Sequence, residues 1–88
     1  MKTFSDLEFQ NNLFGIQAIL FFHNGYGCSV VREFGTYGNN NGLYELAIIK
    51  KSINGFELCY DTKITNDVIG YLTSADVSDI MIKIQNLK

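Results

Sequence analysis

Short β-rich runs separated by turn signals and by a Gly- and Asn-rich loop, Gly35–Gly42, occupy the chain up to Tyr60, and the last segment changes to a helical period. The strongest local signal is Asn24-Gly25, set between two β-rich runs. Asn-Gly favours a two-residue type I′ turn, whose twist matches that of the flanking strands. Such a turn pairs His23 with Tyr26, Phe22 with Gly27, Phe21 with Cys28, Leu20 with Ser29, Ile19 with Val30 and Ala18 with Val31. One face then carries Ile16, Ala18, Leu20 and Phe22, interleaved with Gly27, Ser29 and Val31. The other carries Ile19, Phe21 and His23 beside Tyr26, Cys28 and Val30. Large residues beside small ones leave a furrow for a helix, so the first face is the expected core face.

A third strand reads from Leu43 to about Lys50, with Tyr44, Leu46 and Ile48 on one side and Leu43, Glu45, Ala47 and Ile49 on the other. Ser52-Ile53-Asn54-Gly55 turns the chain into a fourth strand, Phe56 to Tyr60, in which Phe56, Leu58 and Tyr60 alternate with Glu57 and Cys59. Val77, Ile80, Met81, Ile84 and Leu87 follow helical spacing. Thr73 and Asp76 form a capping box with Asp in the usual place of Glu. A helix of this length is marginal alone and needs the sheet. Ile64–Leu72 is ambiguous, and Thr65-Asn66-Asp67 could cap one helical turn that Gly70 ends. Phe4, Leu7 and Phe9 belong to an extra edge strand or an irregular arm. The expected fold is α+β: one domain over residues 1–88, an antiparallel meander of about four strands with a C-terminal helix packed on one face.

Composition narrows the possible functions. The 88 residues are 47% hydrophobic, with 7 Phe and 5 Tyr, which suffices for a small core. A net charge of −2 lacks the basic footprint of a general nucleic-acid binder. No apolar run is long enough to span a membrane, and no secretion signal is legible. Cys28 and Cys59 are too far apart for a CxxC site, and the single His23 cannot complete a zinc tetrad. Two reduced, buried thiols and a cytoplasmic location are expected.

Candidate chemistry is sparse. On the expected register His23 and Cys28 are diagonal neighbours, about 7–8 Å apart at the backbone and too far for direct activation. Asp61, Thr62, Thr65 and Asp67 form a polar cluster whose residue types suit caps and Asx-turns better than a cation site. No phosphate-binding loop or dinucleotide fingerprint is present. No catalytic residue, cofactor or metal is therefore assigned.

The surplus apolar face is the more informative feature. One helix covers one side of a sheet, yet Ile19, Phe21, Tyr26 and Val30 are expected on the other. The N-terminal arm, a second copy of the chain, or a different protein would have to cover it. The segments NGYGCSVVR (Asn24–Arg32), TYG…GLYELAIIK (Thr36–Lys50) and CYDTKITNDVIGYLT (Cys59–Thr73) resemble a family of small proteins carried by phages and prophages. Lys63 replaces a proline expected after Asp61-Thr62 in that family, which loosens the turn. The resemblance implies a protein of the bacterial host cytoplasm that binds host machinery or a defence component.

The expected function is non-enzymatic binding of a protein partner, with homodimerisation. Phe21, Tyr26, Phe34 and Tyr37 would serve as aromatic anchors, and Asn39, Asn40 and Asn41 of the GTYGNNNG loop would adjust to the partner. The alternative is a small-ligand or nucleotide module, with its pocket between that loop and the Asp61–Asp67 turn. A metal-assisted hydrolase using Asp61 and Asp67 ranks third.

Overall fold

The computed structural model describes residues 1–33 and 42–88. Their order is a 3-10 turn (Phe4–Asp6), β1 (Gln10–Asn12), β2 (Gly15–Phe21), β3 (Tyr26–Glu33), β4 (Tyr44–Ser52), β5 (Gly55–Leu58), β6 (Ile69–Leu72) and a helix, α1 (Ser74–Gln85). All strand pairs are antiparallel in the order β1-β2-β3-β4-β5, and β6 pairs with β4 beside β5. The α+β class holds, with a larger sheet than expected. The ambiguous Ile64–Leu72 segment resolves into a strand over Ile69–Leu72. Because β5 pairs only with residues 49–52 of β4, Tyr44 and Leu46 are left to pair with Leu72 and Ile69. A bulge between these pairs puts Tyr71 at φ +59°, a left-handed conformation that β strands of L-residues rarely contain.

The hairpin register differs from expectation by one residue. Phe21 stands opposite Gly27, Leu20 opposite Cys28 and Ala18 opposite Val30. The loop is His23-Asn24-Gly25, closed by Phe22 N–H to Tyr26 O at 2.7 Å and Gly25 N–H to Phe22 O at 3.2 Å. Gly25 at φ +87° completes the three-residue turn with its left-handed bulge. The slip turns β3 over relative to β2. Tyr26, Cys28 and Val30 therefore share a face with Leu20 and Phe22, while Gly27, Ser29 and Val31 share the other with Ile19 and Phe21.

The helix packs on the first of these faces. Phe22, Cys28, Val30, Leu46 and Ile48 meet Val77, Met81 and Ile84 there, with Cys59 and Leu72 at the margin. Thr73 caps α1 through Asp76 N–H at 3.1 Å, and the Asp76 carboxylate accepts from Thr73 N–H at 3.0 Å. At the other end, the Asn24 amide donates to the carbonyls of Ile84 (2.8 Å) and Leu87 (2.9 Å), so the hairpin tip caps the helix C-terminus. The N-terminal arm lies beside α1 on the same side of the sheet. Phe4 N–H donates to Ser78 Oγ at 3.0 Å, and the rings of Phe4, Phe9 and Tyr44 stand 5.2–5.7 Å apart.

Candidate interaction face

With helix and arm on one side, the other face of β2–β5 is left without a covering layer among the described residues. Strand register arranges it in rows. Gln17, Val31 and Glu45 form the first row and Ile19, Ser29 and Ala47 the second. Phe21, Gly27, Ile49 and Leu58 form the third, followed by Lys51 and Phe56. The face partly covers itself. A methyl group at Gly27 would stand 2.5 Å from the Leu20 carbonyl oxygen and 2.9 Å from the Phe21 ring, so only glycine lets that ring lie down here. Phe56 meets Phe21 at 6.2 Å between centroids, and Ile49, set between them by register, is fully buried. Lys51 Nζ stands 5.3 Å from the Phe21 ring centre. Ile19, Phe56 and Leu58 remain 42–53% exposed. Apolar exposure of this kind, contiguous along a sheet, marks interaction surfaces.

Of the expected anchors, Phe21 lies on this face. Tyr26 does not: the slipped register places it on the helix side, with Lys50 Nζ 5.6 Å over its ring. Phe34, Tyr37, Asn39, Asn40 and Asn41 lie outside the described residues. Phe56 and Leu58 join Phe21 as candidates that alternation alone could have nominated once the β4–β5 register was known. Asn24 carried a sequence signal for a turn, and its service to the helix end was invisible without the tertiary contact.

The reactive groups are occupied. Cys28 is sealed from water and burial pushes its thiol up to about 12, so no thiolate is at hand for the exposed His23. Cys59 donates from Sγ to Asp61 Oδ1 at 3.0 Å. That bond, reinforced by burial, raises the thiol and holds the Asp61 carboxyl below its ordinary range. Both cysteines are free. Thr62 and Thr65 hydroxyls bond the backbone of their own turn, and the Asp67 carboxylate accepts from Val68 N–H at 2.7 Å. Among the described residues no cluster of three or more His, Cys, Asp or Glu is placed to hold a metal.

The described residues include concavities at the β1–β2 edge and at the hairpin tip. The first, of about 350 Å³, is lined by Glu8, Gln10, Asn11, Asn12, Gln17 and Ile19. The second, an open cleft of about 1000 Å³, includes Lys2, Phe21, Phe22, His23, Lys51 and Gln85. Neither is lined by Asp61 or Asp67. No helix is long and apolar enough to cross a membrane. Comparison with protein-family models, with curated proteins and with solved structures finds no match for this chain.

Proposed function

We propose that this chain is a non-enzymatic binding protein of phage or prophage origin, working in the bacterial cytoplasm by contact with a protein partner and inhibiting a host or defence component. The observation that supports this reading is the sheet face built on Phe21, Ile19, Phe56 and Leu58, where apolar side chains stay in contact with water although one helix and one arm are already spent on the opposite side. A few well-packed anchoring side chains carry most of the energy of protein interfaces. The test is association. Cross-linking and affinity capture from bacterial lysate, with Leu58→Asp as control, are expected to recover a species that the variant loses. A wild type that neither self-associates nor captures any protein above the variant would refute the reading.

The cleft at the hairpin tip favours a second reading, a module for a small anionic aromatic ligand. Lys2, Asp6, His23 and Lys51 line the cleft together with Phe21 and Phe22. It predicts a thermal shift with a member of a nucleotide panel, and a flat response across the panel removes it.

A further inference from the structure

We propose that the uncovered face is the interface of a two-fold homodimer whose sheets stack with strands antiparallel, so that Lys51 of each copy meets the partner's Glu45. This rests on the protein-binding reading above and names its partner as a second copy of this chain.

The rows of the face are what select this arrangement. Along β4 the face reads Glu45, Ala47, Ile49, Lys51: acidic, apolar, apolar, basic. Glu45 and Lys51 are equidistant from Ile48. A two-fold axis lying between two such sheets, crossing the strands at the level of Ile48, therefore exchanges the acidic row with the basic row and the two apolar rows with each other. Phe21 then lies over the partner's Ile19 and Ile49 over the partner's Ala47, bulky residues against smaller ones. An axis running along β4 would instead set Glu45 on Glu45 and Lys51 on Lys51, and like charges facing each other oppose association. The ammonium of Lys51 already stands over the Phe21 ring on this face, within reach of a facing sheet. Strand spacing of about 4.8 Å and a rise of about 3.3 Å per residue give the patch roughly 300–400 Å² in plan. Two copies would together cover roughly 600–800 Å² in plan, below the roughly 1,000 Å² of a stable specific interface and in the range of weak association. The dimer is accordingly expected to be a micromolar one that weakens as salt screens its four charges.

The experiment is sedimentation equilibrium of the whole chain from low micromolar to submillimolar concentration, with circular dichroism confirming the fold of each variant. Wild type is expected to reach twice 9.9 kDa. Lys51→Glu and Glu45→Lys should each raise the dissociation constant by about tenfold or more. The double variant E45K/K51E should restore it, since the two-fold axis pairs each reversed charge with the other. A wild type that stays at 9.9 kDa throughout overturns the dimer. So does a charge reversal without effect, or a double variant that stays as weak as the singles. In each case capture of another protein, lost in Leu58→Asp, would still sustain the wider reading; its absence as well would end both.

Discussion

Under α1, Cys28, Val30, Leu46 and Ile48 are fully excluded from water, whereas across the same sheet Ile49 is buried but Ile19, Phe56 and Leu58 keep 42–53% of their surface exposed. Large apolar residues stand on both sides, although Gln17, Ser29, Glu45 and Lys51 also lie on the open one. What separates them is the covering layer. On the helix side a capped helix and an aromatic arm complete the packing, and among the described residues the opposite side has its own rings leaning on each other. A glycine at position 27 suits that second arrangement, because Phe21 needs the space a Cβ would fill. The comparison teaches that apolar content does not distinguish a core from an interface. The distinction lies in whether the chain supplies the second layer.

Substitutions on the two sides should break the symmetry between them. Leu46→Ala removes a fully buried side chain and should cost about 2–5 kcal/mol, enough to threaten a domain of this size. Leu58→Ala, at 53% exposure, should cost under about 1 kcal/mol while weakening association. Urea denaturation of both variants measures the contrast, and equal losses would mean the two faces are energetically alike.

The helix side also depends on a polar contact from the hairpin tip. Asn24→Ala should cost about 2 kcal/mol, since two carbonyls of the last helical turn lose their donor. Asn24→Asp should be worse, because a carboxylate there faces the negative end of the helix dipole. Thermal unfolding of the pair decides this, and a milder effect for Asp than for Ala would mean the amide is not acting as a cap.

A smaller effect of opposite sign is expected at the bulge. Tyr71 is 61% exposed at φ +59°, where glycine is unstrained. Tyr71→Gly should therefore raise stability by about 0.5–1 kcal/mol in the same urea assay. A loss would show that the ring contributes contacts outweighing its backbone strain.

The smallest contrast is in pH. The Asp76 carboxyl is held below its ordinary range by bonds from Thr73, and Asp61 by the Cys59 thiol. A depressed folded value gives stability that is present above the unfolded value near 3.8 and fades as pH falls through the folded one. Melting temperature should therefore decline below about pH 4. Asp76→Asn should flatten that decline, and an unchanged slope would remove the capping carboxylate as its cause. Cys28, raised to about 12, has the reverse sign. Its contribution fades as pH rises from about 9, where the unfolded thiol ionises, toward 12.

Much of the fold could be read from residue order alone. Alternation located β2, β3, β4 and the start of β5. Thr73 and Asp76 marked the start of α1, and Val77, Met81 and Ile84 its buried stripe. The surplus of apolar strand positions also pointed correctly to a second face with exposed greasy residues. The identity of that face was not legible. Asn24-Gly25 suits both a two-residue and a three-residue loop, and with Cys28 and Val30 on one side of β3 and Val31 beside Gly27 and Ser29 on the other, hydrophobicity alone could not choose. One residue in the loop inverted the strand and moved Tyr26 from the open side to the covered one. The β6 strand was hidden for a similar reason, since a four-residue run reads as turn or strand until the unfilled edge of β4 offers it a partner.

The sequence by itself determined the elements and their two-sidedness, because a period of two or of 3.6 follows from backbone geometry and each side chain's affinity for water. The tertiary structure alone decided which side of each strand faces the helix, and that Asn24 would close the helix end. Those outcomes depend on hydrogen bonds and packing between segments distant in the chain, where one residue of register reverses every side chain of a strand.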